Sequence, residues 1–172
     1  VVKDNVCDGD QGGSGGGIMV EYSDLTTINN VSLTNNSGIQ GGGIFIDWNS
    51  NVELTNGTIF GNYAESGGGL TMYASTLSLL NSIVWGNPSA NNQQMNLEGS
   101  TSITYSNIQG LPGAFSGNGN IDLEPLFCNS PVGDFNLAEN SPCLGTGEEG
   151  ANMGALDVGC AEPYINYSLS FD

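Results

Sequence analysis

Two carboxylates and three aromatic side chains recur at one interval in the first half of the chain. Glu21 and Asp47 are 26 residues apart, and Tyr22 and Trp48, which follow them directly, keep the same spacing. Tyr73 lies a further 26 residues beyond Asp47. Paired carboxylates can hydrolyse glycosidic bonds or bind a cation, and aromatic rings beside them can contact a sugar. This chemistry requires a fold that places residues one period apart side by side.

A Gly-Gly-Gly triplet marks the same period. It begins at Gly15, Gly41 and Gly67, and a degenerate fourth unit, MNLEGSTSITYSNIQG, has lost its glycines. A fixed period of this length is typical of structural units that repeat and stack. The triplets permit a sharp bend where a side chain would collide with its surroundings.

Each unit contains three short runs in which apolar residues alternate, such as Ile44–Ile46, Val52–Leu54 and Gly57–Ile59 in the second unit. Alternation predicts strands with one buried face, and runs this short, divided by Gly, Asn and Ser, leave no room for helices. Three strands per unit give a coil of triangular section, and successive coils pair in parallel about 4.8 Å apart. The sequence therefore predicts an all-β parallel β-helix of about four to five coils.

Stacked coils place equivalent side chains above one another. The predicted inward apolar ladders, whose offset falls from 26 to 25 residues within the third coil, are Ile18/Ile44/Leu70, Val20/Ile46/Met72, Ile28/Leu54/Leu79 and Leu33/Ile59/Val84. Asn tolerates left-handed backbone, and stacked amides bond to each other. The predicted asparagine ladders are Asn30/Asn56/Asn81 and Asn36/Asn62/Asn87. Phe60 and Trp85 point outward, and form either a binding face or a surface covered by another part of the chain or by a neighbour.

The fading of the repeat divides the chain into four segments. Residues 1–14 form an N-terminal edge segment, 15–110 the coils, 111–160 a loop-rich C-terminal cap and 161–172 a tail or linker. The first segment has too little amphipathic pattern to close the solenoid. We therefore expect the first coil to present an open edge to an upstream domain or a protein partner.

The charge of the chain is strongly one-sided. It has 18 acidic residues, a single basic one (Lys3), and a formal net charge of −17 without any His. Such a surface repels nucleic acid and anionic membranes, and no apolar run is long enough for membrane insertion. Cations are the partners that this composition favours.

Four cysteines are present, at Cys7, Cys128, Cys143 and Cys160. Their spacing is not that of metal ligands, and the absence of His argues against zinc. Three of them lie within the last 45 residues and are interpreted as disulfide staples, with Cys128 bonded to Cys143 or to Cys160. Cys7 would then pair outside the chain. Disulfides indicate an oxidising, extracytoplasmic location.

Several segments resemble a known family. "GGGI", "LTNGTIFGN", "LLNSIVWGN" and the stretch "NIDLEPLF…GDFNL…SPCLGTG…GALDVG" look like the secreted right-handed parallel β-helix proteins of bacteria, the pectate-lyase-like solenoids that also include polymorphic outer-membrane proteins. The resemblance covers roughly residues 12 to 160. It implies a right-handed coil and a secreted or cell-surface location. The lyases of this family use Arg, Lys or His in catalysis, and Lys3 is the one such residue in this chain. The hydrolases of the family use two or three carboxylates.

The residues singled out at the start allow three interpretations. Glu21 and Asp47 keep the surface soluble, or bind Ca²⁺, or catalyse hydrolysis. A second calcium candidate is the acidic loop with Asp8 and Asp10, whose spacing resembles the opening of calcium loops. The candidate sugar platform consists of Tyr22, Trp48 and Tyr73.

These observations favour a non-enzymatic extracellular β-solenoid that acts as a surface adhesin, scaffold or filament component. We expect it to be stabilised by calcium and to contact carbohydrate. The alternative is a carbohydrate-active enzyme of the polysaccharide hydrolase type, or an inactive remnant of one.

Overall fold

The computed structural model describes residues 1–8, 14–110 and 117–164. It is an all-β solenoid of about five turns with parallel stacked coils, as the sequence predicts. The strands of the coils are β1 (Val2–Lys3), β2 (Ile18–Glu21), β3 (Thr26–Asn29), β4 (Ser32–Thr34), β5 (Ser37–Gln40), β6 (Ile44–Asp47), β7 (Asn51–Thr55), β8 (Thr58–Phe60), β9 (Tyr63–Ser66), β10 (Leu70–Leu80), β11 (Ile83–Trp85), β12 (Met95–Thr104) and β13 (Asn107–Ile108). The C-terminal unit contains β14 (Phe127–Asn129), β15 (Asp134–Ala138), β16 (Val158–Cys160) and short 3-10 helices at Ser130–Val132 and Glu148–Gly150.

The coil strands form the sides of the solenoid, and their pairings are parallel. One side is the sheet β1-β4-β8-β11-β13. Two further sides are the columns β2-β6 and β3-β7, which the long strands β10 and β12 join into one sheet. A short fourth side, β5-β9, adds to the three predicted strands of a coil. The sequences SGIQ and YAES did not predict it because apolar and polar residues scarcely alternate in them.

The strand registers confirm the four predicted apolar ladders. Ile44 pairs with Ile18 on one side and Leu70 on the other, and the remaining three ladders follow in the same way. The offset also falls as predicted, because Met72 pairs with Ile46 but Thr76 pairs with Asn51. Ladder members in the second and third coils are fully buried. Each such side chain stabilises the fold by roughly 1.5 to 3 kcal/mol.

The glycine triplets allow the backbones of adjacent coils to touch. A Cβ atom on Gly43 would lie 2.5 Å from the carbonyl oxygen of Gly69, and one on Gly17 would lie 2.7 Å from that of Gly43. No Cβ atom fits at these distances, so a side chain at either position would force the coils apart. The glycine triplets are therefore needed because a side chain would collide with the adjacent coil, as the sequence predicts.

The N-terminal residues belong to the stack. β1 pairs with β4, and the backbone N–H of Cys7 donates to the carbonyl oxygen of Ser37 at 2.8 Å. Residues 1–8 therefore supply part of one further coil, although their short strand gave little amphipathic signal.

The C-terminal unit lies along the side of the solenoid as well as at its end. Its beginning continues the stack, because the N–H of Ile108 donates to the carbonyl oxygen of Ile121 at 2.9 Å. The rest packs on the outer face of β8 and β11. A second buried core forms there from Ile83, Trp85, Phe127, Phe135, Leu137, Cys143 and Met153, with Phe60 packed against it. The interpretation of Phe60 and Trp85 as an exposed binding face is wrong, because this lateral packing covers them.

One disulfide joins the strands of the C-terminal unit. Cys128 on β14 is bonded to Cys160 on β16, with their Cα atoms 5.8 Å apart. The prediction of Cys143 as a disulfide cysteine is wrong. Its thiol is free and fully buried in the second core, where Asn107 Nδ2 donates to Sγ at 3.1 Å. Cys7 is also free and is half-buried.

Candidate functional site

The two aromatic residues of the predicted sugar platform lie at the turn that follows the first strand of each coil. Tyr22 and Trp48 both adopt left-handed backbone conformations, with φ of 54° and 57°. Such φ values are unfavourable for bulky side chains. The rings stack, with centroids 5.2 Å apart and planes inclined by 14°. Both remain well exposed, at 73% and 51%. In the third coil the left-handed residue is Ala74, so the ring stack ends at Trp48.

The two carboxylates lie directly beside this stack. Glu21 and Asp47 are register partners in β2 and β6, and both are half-buried. Neighbouring parallel strands are about 4.8 Å apart, which sets the separation of the two residues. Asp47 Oδ1 also accepts a hydrogen bond of 2.6 Å from the backbone N–H of Trp48. This bond ties the orientation of the carboxylate to the turn that carries the indole ring.

Tyr73 does not join the ring stack. It occupies the carboxylate column in the next coil, where Glu98 is its register partner. Its ring meets that of Phe45 edge to face with centroids 6.0 Å apart, and Asn96 Nδ2 approaches its hydroxyl oxygen at 3.4 Å. The structure thus brings Tyr22 and Trp48 together and holds Tyr73 apart from them.

The residues proposed as calcium ligands do not form a closed site. Asp8 is exposed in the N-terminal segment, and Asp10 lies outside the described residues. Across the described ranges, no three His, Cys, Asp or Glu side chains lie close enough together to hold a metal ion. Calcium takes six to eight oxygen ligands. Glu21 and Asp47 supply two carboxylates, one of which already accepts a hydrogen bond from the backbone.

One asparagine column forms a continuous buried ladder. Asn36 Nδ2 donates to Asn62 Oδ1 at 3.0 Å, and Asn62 Nδ2 donates to Asn87 Oδ1 at 2.9 Å. The backbone N–H groups of Asn36 and Asn62 donate to the same oxygens. Sequence reasoning missed both ends of this column. Asn5 Nδ2 donates to Asn36 Oδ1, and Asn87 Nδ2 donates to Gln94 Oε1.

The other asparagine column is a row of left-handed turns. Asn30, Asn56 and Asn81 have φ of 51°, 52° and 48°. In the described part of the chain, one amide-to-amide bond is seen in this column, from Asn56 Nδ2 to Asn30 Oδ1 at 3.2 Å, and Asn30 is exposed. Asn81 Oδ1 instead accepts from the backbone N–H of Glu148 at 2.7 Å. The C-terminal unit thus interrupts the ladder predicted at these positions.

A cleft of about 760 Å³ lies beside the last coil, lined by residues 86–89, 92–97 and 108–110. None of its lining side chains is ionisable or aromatic. It therefore shares no residue with the predicted carboxylate and aromatic site.

Two further groups with reactive chemistry, the Cys143 thiol and the Lys3 amine, are held in structural contacts. Burial raises the pKa of the Cys143 thiol, which keeps it protonated and a poor nucleophile. Lys3 lies 3.6 Å from Asp4 in an exposed ion pair, far along the chain from Glu21 and Asp47.

Among residues 1–8, 14–110 and 117–164, no helix has the length and apolar character needed to cross a membrane. No protein-family model, curated protein or solved structure matches the chain.

Proposed function

We propose that this chain is a non-enzymatic extracellular β-solenoid that serves as an adhesin or scaffold and contacts polysaccharide through Tyr22 and Trp48. We further propose that it is related to the secreted right-handed parallel β-helix proteins of bacteria. The Cys128–Cys160 disulfide supports an oxidising, extracytoplasmic location. The parallel stack of coils supports a rigid element that displays a surface, since each coil is fixed by its neighbours.

The observation that carries the proposal is the exposed Tyr22–Trp48 stack. Large aromatic rings are normally buried, whereas this pair is exposed at a turn where the left-handed backbone is unfavourable for both residues. Exposed aromatic rings supply apolar contact area for the face of a ligand, and a carboxylate accepts hydrogen bonds from hydroxyl groups. Glu21 and Asp47 lie beside the rings and provide such acceptors.

The electrostatics select the class of polysaccharide. The two carboxylates lie next to the rings, the chain carries a net charge of −17, and Lys3, its one basic residue, is paired with Asp4. An anionic polysaccharide would be repelled by this surface. The ligand is therefore a neutral or amine-bearing polysaccharide.

Affinity electrophoresis in gels that contain a neutral glucan, a neutral mannan, chitosan or polygalacturonate tests this proposal. Trp48→Ala is expected to weaken retention by a neutral or amine-bearing polymer about tenfold, the equivalent of roughly 1.4 kcal/mol. Tyr63→Ala is the matched control, because Tyr63 is similarly exposed (46%) on β9 and lies outside the stack. Equal retention of the wild type and Trp48→Ala on every polymer would refute the role of the stack.

The alternative, a polysaccharide hydrolase, is favoured only by the pairing of Glu21 with Asp47, because retaining glycosidases hold two carboxyl groups about 5 to 5.5 Å apart. The same polymers are incubated with the wild type and with a Glu21→Gln/Asp47→Asn double variant, and reducing ends are measured. We expect no cleavage by either protein. Cleavage by the wild type that disappears in the double variant would establish the enzyme.

A further inference from the structure

The N-terminal end of the solenoid has strand edges without partners. β1, β2 and β3 are each the last strand of their sheet column, with a neighbour on one side only among the described residues. The inward residues Val2, Ile18 and Ile28 at this end are only partly buried, whereas Ile44 and Leu54, the register partners of Ile18 and Ile28, are completely buried. The first coil thus exposes the end of the hydrophobic core and a row of free backbone groups.

Exposed apolar side chains are concentrated around the same end. Five of the eleven large hydrophobic residues that are exposed in the described part of the chain precede residue 26, at Val1, Val6, Met19, Tyr22 and Leu25. The apolar side chains that remain exposed are therefore concentrated in the residues that form the N-terminal end of the stack.

The asparagine ladder identifies what fits there, because it has a direction. Each amide donates toward the C-terminal end and accepts from the N-terminal side. At the C-terminal end Gln94 closes the ladder by accepting from Asn87. At the N-terminal end Asn5 donates to Asn36, and no hydrogen bond to its Oδ1 is seen among the described residues. That oxygen is the acceptor for one further ladder amide.

The strand registers also show which part of a coil residues 1–8 form. Val2 lies in the same column as Leu33 and Ile59, and Asn5 occupies the ladder position of Asn62. Residues 1–8 therefore correspond to the third strand and ladder corner of a coil. The two strands that would precede them in such a coil are those that would cover the outer edges of β2 and β3.

We propose that the outer edges of β2 and β3 form a docking surface for two strands of a further parallel β-solenoid coil. The occupant presents apolar residues at every second position of its two strands, to continue the ladders that begin at Ile18 and Ile28. Asn5 is the ladder residue of that same coil, so an amide donor above Asn5 Oδ1 belongs to the coil before it. This inference does not depend on the carbohydrate contact of Tyr22 and Trp48.

The test extends the chain with a coil of known sequence. A copy of residues 41–57 (GGGIFIDWNSNVELTNG) is fused directly before Val1, because Val1 is in frame with Thr58 when Val2 is aligned with Ile59. The matched control carries the same extension with Asp in place of the copied Ile46 and Leu54, which removes the inward apolar residues. Amide hydrogen exchange over β2 and β3 and the midpoint of thermal unfolding are measured for both proteins and for the original chain.

The matched extension is expected to slow exchange of the outward-directed amides of β2 and β3 by at least about tenfold and to raise the unfolding midpoint, whereas the control extension has neither effect. In the protein that carries the matched extension, the substitution Asn5→Ala should leave the amides of β2 and β3 protected. The substitution removes only the acceptor for an amide of a still earlier coil. Equal exchange in the matched and control proteins would overturn the proposal. So would concentration-dependent dimers of the original chain in sedimentation velocity that protect the same amides, because the occupant would then be a second copy.

Discussion

Two columns of three asparagines with the same spacing, 26 and then 25 residues, behave differently in this molecule. Asn36, Asn62 and Asn87 are buried and bond in series through both backbone and side-chain donors. In the other column, Asn30 is exposed to solvent while Asn81 is covered by the C-terminal unit. A repeated residue type therefore does not by itself define a ladder, because the surroundings of each column decide what its amides bond to.

The difference follows from what each position requires of its residue. The buried corner requires a side chain that satisfies neighbouring backbone groups, and Asn62 Nδ2 also donates to the carbonyl oxygen of Leu33 at 2.9 Å. The turn requires left-handed backbone, which Asn adopts more readily than other residues except Gly. The first column is thus selected for its hydrogen bonds and the second for its backbone conformation. Substitutions that change the side-chain hydrogen bonds but keep the left-handed backbone, or the reverse, test this difference between the columns.

The largest effect is expected for Asn62→Ala. The side chain is fully buried and makes four hydrogen bonds, to Asn36 N, Asn36 Nδ2, Asn87 Oδ1 and Leu33 O. Its truncation leaves several buried polar groups without partners, and each costs about 1 to 3 kcal/mol. We expect the free energy of unfolding, measured by urea denaturation, to fall by about 3 to 4 kcal/mol. A loss below about 1 kcal/mol would mean that the ladder contributes little to stability.

An intermediate effect is expected for Asn81→Gly. Glycine keeps the left-handed conformation at φ 48°, but it removes the oxygen that accepts from the N–H of Glu148. One hydrogen bond that holds the C-terminal unit to the solenoid is then lost, which costs about 1 kcal/mol. Amide exchange should quicken around Glu148 and Gly154, both of which bond to Asn81, and remain unchanged in β6 and β7. Faster exchange throughout the coils would show instead that Asn81 stabilises the stack itself.

The period of the sequence was sufficient to predict the coils, the four apolar ladders and the pairing of Glu21 with Asp47. These depend on contacts between residues one repeat apart, which the spacing of the chain reports directly. The hydrogen-bond partner of Asn81 could not be predicted, because that partner, Glu148, lies 67 residues away in a segment without the repeat. The ladder ends were missed for the same reason, since Asn5 lies 31 residues before Asn36 and Gln94 only seven after Asn87.

The alternation of apolar and polar residues also could not predict that the C-terminal unit packs on the side of the solenoid. Phe60 and Trp85 occupy outward positions that alternation assigns to solvent or to a partner. Only the contact with Phe127 and Phe135, which lie after the repeat ends, decides that the cover comes from the same chain. The burial of Cys143 in that contact likewise decides between the two partners predicted for Cys128, because it leaves Cys160 to form the disulfide.

The smallest effect is expected for Asn56→Gly, which isolates the backbone requirement of the column of left-handed turns. The substitution loses a single solvent-accessible bond from Asn56 Nδ2 to Asn30, and it removes an Oδ1 atom that is buried without a hydrogen-bond partner. Glycine adopts φ 52° without strain but increases the entropy of the unfolded chain. These contributions offset each other, so the free energy of unfolding should change by less than about 0.5 kcal/mol. A loss similar to that of Asn62→Ala would show that both columns stabilise the fold through their amides, and the distinction between them would be wrong.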